Sequence, residues 1–118
     1  MITYEDFSKI SLKAGKIIEA ETVDKSDKLI RLLVDIGEIE VDGDEGQVRP
    51  KVRQILAGIR RRYSPEELIG TYIVVVENLQ PRELLGMESN GMLLAADGPD
   101  GPVLICPIGE VASGASIR

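Results

Sequence analysis

The chain has 118 residues, a net charge of −6, one cysteine, and neither histidine nor tryptophan. That length suits a single domain, 1–118, able to bury roughly two-thirds of its unfolded surface, and no window approaches the ~20 apolar residues of a membrane span. Cys106 has no partner for an internal disulfide and no imidazole to activate it or to share a metal, so a disulfide scaffold and a His/Cys centre are both excluded.

The acidic opening MITYEDF lacks the charged-then-apolar layout of a signal peptide, and a cytoplasmic protein is expected. Thr3 can cap a short helix over Tyr4-Glu5-Asp6-Phe7, with Phe7 and Ile10 as its apolar contacts, so residues 1–12 read as a docking segment. A strand is expected from Lys13 to Val23. Its alternation is broken by the adjacent Ile17 and Ile18, and Gly15 is a place where such a strand can bulge or bend. Asp24 to Asp27 is a polar turn. Ile30, Leu32, Val34 and Ile36 then alternate with Arg31, Leu33 and Asp35, the clearest period of two in the chain.

Residues 37–50 read either as a hairpin extension with Asp42-Gly43 at its tip or as a mobile loop. Asp42, Asp44 and Glu45 suggest a calcium loop, but their spacing lacks the full EF-hand pattern. Residues 35–46 hold six acids and no base, whereas 49–63 hold six bases and no acid. One acidic projection and one basic belt are therefore expected. Taken alone, Arg60-Arg61-Arg62 would be a solvated charged face.

Val52 to Ile59 reads as the third strand. Ser64-Pro65-Glu66-Glu67 has the form of a capping box with proline at the first helical position, and Gly70 ends that helix after little more than a turn. Thr71 to Val76 is dense in β-branched residues and reads as a strand. Asn90-Gly91 alone is a hairpin turn signal, and Met92 alone would be a core residue. Asp97 to Pro102 is turn chemistry, followed by a strand Val103-Leu104-Ile105-Cys106 in which Cys106 is expected to be a buried filler, and by a Gly-spaced tail with Val111 and Ile117. Five strands with one short helix between the third and fourth fit an all-β class, the five-stranded Greek-key barrel called the OB-fold.

The ordered set Arg53-Gln54-Ile55, Gly58-Ile59, Tyr63, Pro65 to Gly70, Asn78-Leu79, Pro81-Arg82, Leu84, Gly86 and Ser89-x-Gly91-Met92-Leu93-Leu94-Ala95-Ala96 resembles the tRNA-binding domain appended to methionyl-tRNA synthetases and also found as a freestanding dimer. With Glu5-Asp6-Phe7, Gly15-Lys16-Ile17 and Ser26-x-Lys28-Leu29 added, the resemblance spans nearly the whole chain except residues 37–51. It implies the OB-fold, a homodimer joined by residues 98–118 with the N-terminal segment, and a tRNA-binding face at Asn78, Ser89, Gly91 and Met92, with Lys28 and Arg53 at the family's basic positions. Gln80 and Glu83 depart from frequent family lysines, and Asn90 from a frequent glutamine. A related branch, the dimeric export-chaperone-like proteins, binds peptides and generally lacks the Ser-x-Gly-Met segment.

No nucleophile, general base or metal constellation is present, so a non-enzyme without cofactor is expected. Lys28, Arg53 and Arg82 can supply charge to phosphates, and Asn78 and Ser89 neutral hydrogen bonds; beside the family motifs, RNA contact is also the expected reading of Arg60-Arg61-Arg62. One Phe, three Tyr and no Trp leave few platforms for stacking splayed bases, which favours a folded RNA read by shape and backbone over a single strand. The expected partners are tRNA, a second copy of the chain and a methionyl-tRNA synthetase catalytic chain. A pure dimerisation module and a single-strand DNA binder are the other classes. On this reading Arg53→Ala would lower the salt slope of binding by about one, residues 38–48 would be dispensable, and the apolar tail residues would pack against the second copy.

Overall fold

The computed structural model describes all 118 residues. Two four-residue helices, α1 (Tyr4–Phe7) and α2 (Pro65–Leu68), accompany ten strands. They are β1 (Leu12–Thr22), β2 (Ile30–Val41), β3 (Val48–Ala57), β4 (Tyr72–Val76), β5 (Arg82–Leu84), β6 (Met87–Ser89), β7 (Met92–Leu93), β8 (Ala95–Gly98), β9 (Gly101–Leu104) and β10 (Ser116–Ile117). β1, β4 and α2 stand within about a residue of where the pattern puts them, whereas β2 runs on to Val41 and β3 begins at Val48 and stops at Ala57, short of Ile59. The count of five is corrected, because the turns after Val76 fall every few residues and divide the chain into short hairpins.

The main sheet runs β3-β2-β1-β4-β7, and β10 pairs with β1 as well. Strand β1 faces β2 from Lys16 to Thr22 and β4 from Leu12 to Lys16, so it passes from one half of a curled half-barrel to the other. Its register with β2 shifts between Ile17 and Glu19. Ile17 is fully buried and Ile18 faces outward as ordinary alternation requires, and the bulge leaves Ile18 and Glu19 both exposed before Ala20 turns back to the core. Gly15, where a bend was expected, serves close packing instead, since a Cβ there would lie 2.7 Å from a Val34 methyl.

Ile30, Leu32, Val34 and Ile36 are buried as their alternation requires, and with Ile17, Ile55, Ile73 and Val75 they form one core. Each fully buried side chain of this size contributes about 2 kcal/mol. The Glu67 carboxylate accepts from the Ser64 N–H at 3.1 Å and its hydroxyl at 2.9 Å, which fixes α2 so that Leu68 enters that core. The far edge of β3 meets the segment before β7. There the Asn90 N–H donates to the Gln54 carbonyl at 2.8 Å, and the Leu56 N–H to the Ser89 hydroxyl at 3.0 Å.

Residues 37–50 take the hairpin alternative. The turn between β2 and β3 is closed by the Asp42 N–H on the Gln47 carbonyl at 2.8 Å. Cross-strand pairing sets Glu40 opposite Arg49, whose Nε lies 2.8 Å from the carboxylate, and Glu38 reaches Arg53. The expected division into an acidic projection and a basic belt is corrected: antiparallel pairing folds the basic stretch back onto the acidic one. Removal of residues 38–48 would take Glu38 away from Arg53.

The C-terminal segment lies largely on its own chain. The Ala14 N–H donates to the Ala115 carbonyl at 2.9 Å, the Gly114 N–H donates to the Ala14 carbonyl at 2.8 Å, and Leu12 and Lys13 pair with Ile117 and Ser116. Leu104 packs against the core and its N–H donates to the Tyr63 hydroxyl at 3.1 Å. Leu104 and Ile117 are thus engaged within the chain, whereas Ile105 and Ile108 are exposed, Ile108 completely. Cys106 is exposed and is no core filler, since the chain leaves the sheet after Leu104 and no strand covers it.

Candidate nucleic-acid interface

The seven residues selected from the sequence fall into two groups. Arg53 projects from β3 with its side chain only 12% exposed. Its Nε donates to one Glu38 oxygen at 2.7 Å, Nη2 to the other at 3.0 Å, and Nη1 to the Glu77 carbonyl at 2.6 Å. The Glu77 carboxylate adds a longer contact at 3.4 Å. The hydrogen bonds from Arg53 hold the Glu38 carboxyl below the ordinary glutamate range, and the same bonds raise the guanidinium further. A guanidinium so enclosed has little left to offer a phosphate.

Asn78 accepts from the Ser11 N–H at 2.9 Å and donates to the Lys9 carbonyl at 2.7 Å, which ties the N-terminal segment to the end of β4. Ser89 is buried against the backbone of Leu56. Gly91 has φ of +128°, and a Cβ there would press on the Ile55 side chain at 3.3 Å, so glycine lets the chain cross the core edge. These residues shape the face more than they offer groups to a ligand.

Lys28, Arg82 and Met92 are exposed. Arg82 and Met92 line one shallow depression together with Ser89, Gly91, Leu79 and Gln80. Arg82 is at the start of the β5–β6 hairpin and forms no ion pair, while Ser89 is buried, Gly91 half-buried and Met92 exposed in the same depression. The fold therefore gathers four of the seven residues. Lys28 lies apart in the turn after β1, where its carbonyl accepts from the Arg60 N–H at 3.0 Å.

Two residues that pattern reading passed over also border this face. The tight turn of the β5–β6 hairpin is Leu85-Gly86, with φ of +51° and +78°, not Asn90-Gly91. A leucine rarely adopts this conformation. Lys25, at φ +68°, and Leu85 line a second depression between the end of β1 and the hairpin. Gly86 was the available signal for the turn; nothing in the local pattern marks a leucine before it as left-handed.

A family model described as "Putative tRNA binding domain" matches residues 12–116. The chain is 47% identical over 116 residues to a methionine–tRNA ligase of Caldanaerobacter subterraneus, an alignment covering 98% of this chain and 16% of that protein. It spans about a sixth of the length of such relatives. Among solved structures, a MetRS-related protein from Pyrococcus horikoshii is 34% identical with a TM-score of 0.83, covering 100% of this chain and 98% of that one. The chaperone CsaA of Bacillus anthracis is 32% identical with a TM-score of 0.79, covering 100% and 99%. On the residues matched and the identity across the whole length, the chain belongs to the tRNA-binding domain family.

Proposed function

We propose that this chain binds tRNA without catalysing a reaction, in the cytoplasm, and aids tRNA capture by a methionyl-tRNA synthetase chain as a homodimer of the β-subunit or C-terminal-domain kind. The observation that carries this reading is the depression where Arg82 and Met92 stand exposed over Ser89 and Gly91, in a chain of this family. The meeting of β3 with the segment before β7 supports an OB-type barrel, whose open face suits a folded RNA held by its backbone. No cofactor is required.

Arg82→Ala is expected to weaken binding of all tRNA species alike and to lower the log–log salt slope by about one, as loss of a phosphate contact would. Filter binding of tRNA beside oligo-dT at several salt concentrations checks it. Equal affinity for oligo-dT would favour a single-strand binder, and an unchanged slope would take Arg82 out of the interface. The similarity to CsaA keeps peptide binding as the second reading; capture of an unfolded peptide with no tRNA affinity would establish it.

The dimer reading is supported by Ile108, fully exposed, and by Tyr4 and Ile10, also exposed near the N-terminus. A two-fold pairing is the commonest way to cover exposed apolar residues of this kind. Ile108→Asp is expected to shift the light-scattering mass from dimer toward monomer without changing the circular dichroism spectrum. A wild-type protein already monomeric at micromolar concentration would exclude the dimer. Truncation at Gly98 is not a suitable test, because it would remove Leu104 and β10 from the fold.

A further inference from the structure

We propose that the depression lined by Arg60, Arg61 and Arg62, with Thr22, Tyr63 and Ser64, is a second phosphate site that takes a backbone phosphate of the same tRNA, away from Arg82 and Met92. This rests on the tRNA reading above and extends its footprint to Arg60, Arg61 and Arg62, which lie outside the sequence set that carried the resemblance. Three arginines converge there and no acidic side chain lines the space.

Their side chains are held to different degrees, which suits capture of a mobile anion. Arg60 Nη1 donates to the Ser26 carbonyl, so the 60–62 turn is fastened to the turn after β1. The Arg62 guanidinium lies 4.9 Å from the centre of the Tyr63 ring, and that tyrosine is itself fixed by the Leu104 N–H. Stacking leaves the edge of the guanidinium free to donate. Arg61 meets only Asp27 at 3.3 Å, in a pair whose side chains are 66% and 81% exposed. Such a pair is held weakly, and a phosphate can displace it.

Position supports one RNA rather than two ligands. Thr22 lines both this depression and the one that holds Lys25 and Leu85. The β5–β6 hairpin that bears Leu85 begins at Arg82, in the first depression. The middle depression also holds Glu21 and Asp24, so the bases stand at the two ends of this linked series, Arg82 in one and Arg60 to Arg62 in the other. Spaced charges of this kind follow a nucleic-acid backbone.

The test is the double variant R61A/R62A in the full chain, measured by tRNA filter binding across a range of potassium chloride. Both side chains are exposed, so its melting temperature should match wild type. Binding should weaken for every tRNA and the log–log salt slope should fall by about one, for the one phosphate the site no longer neutralises, while R61K/R62K should recover most of the slope. If Arg82→Ala weakens binding and R61A/R62A changes neither affinity nor slope, the second site is wrong and the tRNA reading stands. If wild type binds no tRNA, both fall together. Calorimetry with inorganic phosphate alone separates the sources: phosphate heat lost in R61A/R62A without any change in tRNA binding would mark a free-anion site and overturn the RNA assignment.

Discussion

Gly114→Ala is expected to destabilise the protein by about 3–4 kcal/mol, one of the largest effects of any single substitution in this chain. Two faults coincide at this position. The residue has φ of +88°, where an L side chain is strained, and a Cβ there would stand 2.6 Å from the Ile36 carbonyl oxygen and 3.0 Å from the Gly37 Cα. Neither neighbour can yield easily, because both are backbone. Gly37 has φ of +85° and its own Cβ would lie 2.9 Å from the Ser113 carbonyl, so the two glycines cross at van der Waals distance. The crossing seats the C-terminal segment beside β1, where the Gly114 N–H donates to the Ala14 carbonyl and β10 pairs with Leu12 and Lys13, so the tail continues the pairing of β1 where β2 leaves off. A melting-temperature series checks this: Gly109→Ala, where a Cβ would meet nothing within 4 Å, should stay near wild type. Equal melting temperatures for Gly114→Ala and Gly109→Ala would mean that the tail can lift off without cost to the fold.

The core and the order of the first elements were legible because burial leaves a period in the sequence. Ile30, Leu32, Val34 and Ile36 show it directly, and the period breaks at the bulge, where Ile18 and Glu19 are both exposed. What could not be read was which residue faces which across a shifted register. Glu38 meets Arg53 because the β2–β3 pairing slips between Asp35 and Ile39, and a slip of that kind leaves no mark on charge or hydropathy. The residue types of the site told of hydrogen-bonding capacity without telling where it is used. Asn78 and Ser89 spend theirs on the backbone of Ser11, Lys9 and Leu56, contacts that only the folded chain brings together. The exposed pair Arg82 and Met92 was legible only through resemblance, since pattern alone would bury the methionine.

Arg53→Ala is expected to destabilise the fold by about 2–3 kcal/mol, somewhat below the cost of breaking a fully buried pair because Glu38 remains about one-third exposed. The loss has two parts: the two-pronged link from β3 to β2, and the Glu77 carbonyl and carboxylate at the end of β4 left without their donor. The pH dependence follows from the direction of the Glu38 shift. Its folded carboxyl titrates below the ordinary value of 4.5, so the stabilisation is complete above that value and disappears as pH falls through the depressed folded value. Wild type should therefore exceed Arg53→Ala in urea midpoint by a constant margin at neutral pH, and the margin should narrow in strongly acidic solution. Glu38→Gln separates the ion pair from the carbonyl contact, since it leaves Nη1 free to hold the Glu77 carbonyl; it should cost less than Arg53→Ala. The tRNA salt slope of folded Arg53→Ala should equal that of wild type, as a guanidinium committed to two glutamates has no counterion-releasing phosphate to lose. A variant that keeps its urea midpoint but loses a unit of slope would return Arg53 to the RNA interface.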